Sequence, residues 1–114
     1  MSHEITKTDK GYDITLTRGD TLILQLSLSK NDEPYTPATG SSIRFAMKEK
    51  YGDDIEVVLE KPINIDTLLL QFNPADTKPL PMGKKYVYDI ELTDEVGHVD
   101  TFLSGSFKIG NEVE

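Results

Sequence analysis

An alternation of apolar and polar residues with a period of two limits this chain more than any other feature. Tyr12, Ile14 and Leu16 alternate with Asp13, Thr15 and Thr17; beyond Arg18-Gly19-Asp20, Leu22, Leu24, Leu26 and Leu28 alternate with Ile23, Gln25, Ser27 and Ser29. A strand turns successive side chains to opposite faces, so each run offers one apolar face and one wetter face. The pattern predicts two antiparallel strands joined at the triplet. Gly19 then supplies the backbone angle of the turn, with Arg18 and Asp20 as polar flanks at a solvated tip.

The same rhythm continues. Ile43, Phe45 and Met47 alternate with Arg44, Ala46 and Lys48; "KYGDD" reads as a turn, followed by short strands on Ile55, Val57, Leu59 and on Leu68, Leu70, Phe72. Farther on, Tyr86, Tyr88, Ile90 and Leu92 share one face, and Val87, Asp89, Glu91 and Thr93 share the other. "TDEVGH" predicts a hairpin with Gly97 at its special angle. Val99, Thr101, Leu103, Gly105, Phe107 and Ile109 then alternate with His98, Asp100, Phe102, Ser104, Ser106 and Lys108. Gly105, inside "SGS", predicts a place where another backbone or a large ring comes close.

Two stretches break the rhythm. "KNDEPYTPATG" reads as a loop, because Pro34 and Pro37 oppose a continuing strand. In "NPADTKPLPMG", Asn73 can cap a helical turn with Pro74 at its first position, and Pro79 and Pro81 stop it. One short helical turn near 74–78 is therefore expected. The tail "GNEVE" reads as frayed, which leaves an ordered core of about residues 10–109.

These runs predict an all-β protein: one domain over 1–114, an antiparallel immunoglobulin-like β-sandwich of about seven strands. With no Cys and no Trp, the antibody disulfide and core tryptophan are missing, so the expectation concerns architecture alone. The absence of Cys also excludes thiolate zinc sites and thiol nucleophiles. A formal charge of −8 repels phosphate backbones and anionic lipid, which speaks against nucleic acid and membrane surfaces as partners. The first residues lack the basic start and apolar run of a signal peptide, and no apolar stretch nears the ~20 residues that span a bilayer. Synthesis in a cytoplasm without export by the usual signals is the expectation.

The candidate chemistry is sparse. Asp53, Asp54 and Glu56 form one acidic cluster and Asp94, Glu95 and Asp100 another. Neither has the spacing of a calcium loop, and both read as turn acids. His98 and Asp100 could pair with Ser104 or Ser106, but no sharp nucleophile turn surrounds those serines. Tyr86 and Tyr88 read as core, whereas Tyr35 and Tyr51 lie in loops and can contact a partner. Phe102 and Ile23 stand on wetter faces among polar residues, where an apolar side chain can mark a subunit contact. No metal, cofactor or catalytic set is expected.

Three stretches carry a family likeness: "ITLTRGDTLILQLSLSKNDEPYTP", "SSIRFAMKEKYGDDIEVVLEK" and "FNPADTKPLPMGKKYVYDIELTDEVGHVDTFLSGSFKI". In that order, over roughly residues 12 to 109, they resemble small tail-associated structural proteins of bacteriophages and prophages. The likeness is to the N-terminal sandwich domain of siphophage upper-baseplate proteins. It implies a non-enzymatic virion protein of the tail or baseplate, assembling with other tail proteins or with copies of itself. Ile23, Phe102, Tyr35 and Tyr51 are the candidate contacts. The competing expectation is a recognition module that binds a host-surface sugar or protein through its loops. Arg18-Gly19-Asp20 also spells the tripeptide that many extracellular proteins show to cell-surface receptors, and the resemblance favours the structural reading of it over the adhesive one.

Overall fold

The computed structural model describes residues 3–7, 11–30, 33–52 and 54–111. Along the chain run β1 (His3–Lys7), β2 (Tyr12–Thr17), β3 (Leu22–Gln25), β4 (Ser29–Lys30), β5 (Glu33–Pro34), β6 (Ser42–Lys48), β7 (Val57–Ile63), β8 (Leu69–Phe72), α1 (Pro74–Thr77), β9 (Lys85–Thr93) and β10 (Val99–Gly110). The large sheet has the order β1-β2-β10-β9-β6-β7, β3 pairs with β8, and β4 with β5. Strand dominates, as the alternation requires.

Every neighbour in the large sheet is antiparallel except one: β2 runs parallel to β10, with Ile14 opposite Phe107 and Leu16 opposite Ile109. The expected all-antiparallel arrangement is corrected on this point. A parallel pair needs a long connection between its strands, and here nearly the whole chain supplies it.

A second correction concerns the triplet. β2 and β3 do not pair as a hairpin; β2 lies in the large sheet and β3 against β8. Periodicity fits both arrangements, because it fixes which face is apolar and not which strand lies alongside. β1 pairs with β2 from Lys7 opposite Tyr12 to His3 opposite Leu16. Its single apolar residue among the described ones, Ile5, is exposed, which left little pattern to read. Residues 112–114 of the expected frayed tail, and Asp53 of the first acidic cluster, lie outside the described residues.

The core lies between the two layers. Ile14, Leu16, Phe45, Met47, Tyr88, Leu92, Phe107 and Ile109 face inward from the large sheet, and Leu22, Leu70 and Phe72 from β3 and β8. Rings knit the layers together: Phe45 meets Phe72 edge-on at 5.1 Å and stacks on Tyr88 at 5.2 Å, and Phe72 lies 5.1 Å from Phe107. Aromatic pairs at such separations add to what their buried area already contributes.

Candidate functional site

The outward face of the large sheet holds a depression over β6 and β9, with a volume of about 340 Å³. Its shape follows from the sequence. On β6 the outward residues are Arg44, Ala46 and Lys48; on β9 they are Val87, Asp89 and Glu91. Ala46 stands opposite Asp89, and Ser104 of β10 flanks Asp89 on the other side. Small side chains on both sides leave the aspartate at the floor of a hollow whose walls are longer side chains.

Tyr51 closes one side. It lies in the turn after β6, which Lys48 braces by donating from Nζ to the Gly52 carbonyl at 2.7 Å. The Tyr51 hydroxyl sits 3.4 Å from the carbonyl oxygens of both Tyr88 and Gly105. These long contacts tether the end of the ring to the sheet, while the side chain remains 56% exposed. Burial pushes the Tyr51 phenol up from its ordinary value, and the nearby Asp89 charge adds to the effect.

Charges in the hollow divide into paired and unpaired. The Arg44 guanidinium bonds Glu60 of β7 and, at 3.2 Å, Glu91 of β9, tying three strands across the outer face. The Asp89 carboxylate accepts no hydrogen bond from the described residues. Partial burial raises its carboxyl above the usual carboxylate value, Glu91 raises it further, and Lys48 and Arg44 offset part of the rise.

The residues singled out in the sequence are scattered. Ile23 is exposed on the outward face of β3, as its polar neighbours implied. Tyr51 borders the hollow. Phe102, expected on the wet face of β10, is half-buried against the core because a bulge between Thr101 and Leu103 shifts the alternation there. A bulge sets two residues opposite one and re-aims a side chain. Tyr35 is brought to it, ring centroids 5.5 Å apart, so the two candidate contacts pack on each other at the rim of the core.

Arg18-Gly19-Asp20 is a half-buried corner, not a solvated tip. Gly19 has φ 86° and donates its N–H to Thr77 Oγ1 at 2.8 Å, and Arg18 Nε donates to the Lys78 carbonyl at 3.0 Å. The end of the short helix holds the triplet in place, which supports its structural reading.

His98 and the serines are not gathered. His98 Nδ1 lies 3.3 Å from Asp94 at the hairpin tip, and Ser104 is six positions along, roughly 20 Å at ~3.3 Å per residue. Asp94 Oδ1 accepts the Val96 and His98 amides at 3.0 and 2.9 Å, which makes it the turn acid expected. Among the described residues no three His, Asp or Glu gather to hold a metal ion, and no helix is long and apolar enough to cross a membrane.

Sequence reasoning named Tyr51 but passed over Ala46, Arg44 and Asp89. Their signal was present: one small outward residue between two cations on β6, and an aspartate directly across the register. No protein-family model matches this chain, and no curated protein matches its sequence.

Proposed function

We propose that this chain is a non-enzymatic structural protein of a bacteriophage tail or baseplate, and that it acts by packing against other tail proteins. The sequence likeness over most of the chain supports the reading. The observation that carries it is the outward face of β3 and β8. Ile23 is 56% exposed there and Leu69 is 42% exposed, on a sheet of two strands to which no further strand is paired among the described residues. Unpaired edges beside exposed apolar residues suit the docking of a neighbouring protein.

The immunoglobulin-like identity of the fold belongs to the same proposal. Its support is the strand order. The last two strands form the centre of the larger sheet, β6 and β7 extend it on one side, the first strands flank it on the other, and β3 and β8 make the opposite layer. Variable-type immunoglobulin domains distribute their strands in this way.

Ile23→Asp tests the contact. The residue is exposed, so the fold should tolerate the change, with stability altered by no more than about 0.5 kcal/mol. Incorporation into virions should fall severalfold. Immunogold labelling that finds the wild-type protein absent from purified virions would overturn the reading.

A further inference from the structure

We propose that the hollow over β6 and β9 is a binding site for a neutral saccharide, with Tyr51 as the stacking ring and Asp89 as the principal hydroxyl acceptor. The idea goes beyond assembly and does not depend on it.

The lining selects the class of ligand. Arg44 and Lys48 are set against Asp89 and Glu91 around the same hollow, so the formal charges cancel. An anion would meet both carboxylates and a cation would meet both basic groups. A neutral molecule rich in hydroxyls can donate to the carboxylates and accept from the cations at once. Such molecules also carry a C–H face that packs on an exposed aromatic ring, and Tyr51 provides one whose hydroxyl end is already tethered to the sheet. Little ring freedom then remains to be lost on binding. The volume, about 340 Å³, is near the lower limit of ligand pockets, ~300 Å³. It suits one sugar ring or the end of a chain.

Asp89 supplies an independent argument. Its carboxylate is half-buried and lines the hollow, and no side chain of the described residues donates to it, so its oxygens face whatever occupies the hollow. Arg44 and Lys48 are oriented by Glu60 and Glu91 and by the Gly52 carbonyl, and each keeps further N–H groups for a ligand.

The test is an amide NMR titration of the full chain with methyl glucoside, methyl galactoside, N-acetylglucosamine and lactose, and with purified bacterial wall polysaccharide. Saturable shifts centred on Ala46, Gly52, Val87 and Asp89 are expected for at least one of them, with a dissociation constant of about 1 mM for a free sugar. Response to polysaccharide alone assigns the ligand to a cell surface, and response to a free sugar as well assigns recognition to the ring itself. Tyr51→Ala should weaken binding at least tenfold, and Tyr51→Phe, which keeps the ring and loses its tether, should weaken it less than Tyr51→Ala does. Asp89→Asn should weaken binding at least tenfold while raising the thermal midpoint near neutral pH, a combination that a merely structural aspartate would not give. Several results overturn the proposal: no saturable shift with any of these ligands, unchanged binding by a folded Tyr51→Ala, or tighter binding of inorganic phosphate or lysine methyl ester at the same amides. Because the readout uses the isolated chain, none of them bears on virion assembly.

Discussion

At Gly105 three strands meet with no room for a side chain. A Cβ there would lie 2.0 Å from the Tyr12 carbonyl oxygen and 3.2 Å from the Tyr88 ring. The space it leaves lets Tyr88 of β9 reach past β10 and donate its hydroxyl to Tyr12 of β2 at 2.6 Å. Burial pushes the Tyr88 phenol well above its ordinary value, so the hydroxyl remains a donor throughout the working pH range. Gly105→Ala must move backbone and should destabilise by about 2 kcal/mol or more. Tyr88→Phe, which leaves the Tyr12 carbonyl without this donor, should cost about 1–2 kcal/mol. Urea unfolding of both variants checks the pair. Two aspartates predict opposite pH behaviour. The Asp94 carboxyl is lowered from 3.8, chiefly by the His98 amide and also by that of Val96. Its contribution is present above the unfolded value and lost as pH falls through the folded one, so Asp94→Asn should flatten the acid limb of stability. The Asp89 carboxyl is raised from 3.8, chiefly by burial. Its ionised form weakens the fold, so the gain from Asp89→Asn should be full near neutral pH and vanish below the unfolded value. Thermal midpoints across acid and neutral pH distinguish the two.

Among the elements, the four-residue helix α1 does more than connect β8 to β9. Its start is held by Asp76, which accepts the Asn73 amide at 2.8 Å and pairs with Lys61 at 2.9 Å. Its end presents Thr77, fully buried, to the Gly19 amide. The helix therefore fastens the corner at which the chain leaves the large sheet for the small one. Thr77→Val keeps the shape and removes the acceptor, and should cost about 2 kcal/mol by leaving a part-buried N–H unpaired. Gly19→Val should cost at least about 1 kcal/mol, because φ 86° is strained for a side-chain-bearing residue. Asp20→Glu destroys the adhesive tripeptide and should leave stability unchanged, and with it the virion incorporation that the proposed function requires, since the corner is held through Gly19, Arg18 and the Asp20 amide, which donates to Thr17 at 3.1 Å. Loss of incorporation by a folded Asp20→Glu protein would favour the adhesive or contact reading of the triplet. The helical turn was legible beforehand because Asn-Pro at its start and the later prolines act locally. The partner of its last turn was not, because Gly19 and Thr77 are 58 residues apart in sequence.

For the whole molecule, stability should be graded from the centre of the large sheet outward. β9 has a paired strand on each side and four buried residues on its inner face, whereas β7 is an edge strand interrupted by Pro62 and mostly exposed. Amide exchange should be slowest in β9, β10 and β6, and faster by orders of magnitude in β7 and in the β4–β5 pair. Equal protection across the sheet would count against this ordering. The sequence alone determined most of the longer strands and their inward faces, though not β1 or the β4–β5 pair, together with the hairpin with Gly97 at φ 92° and the close approach at Gly105. All of these follow from period-two alternation or from the backbone demands of single residues, and both act over a few positions. Tertiary structure decided which strands lie side by side, the parallel pairing of β2 with β10, the bulge that turns Phe102 onto Tyr35, and the gathering of Ala46, Tyr51 and Asp89 around one hollow. Those depend on which surfaces meet across a shared core, and alternation fixes the face a residue takes without naming the neighbour it meets.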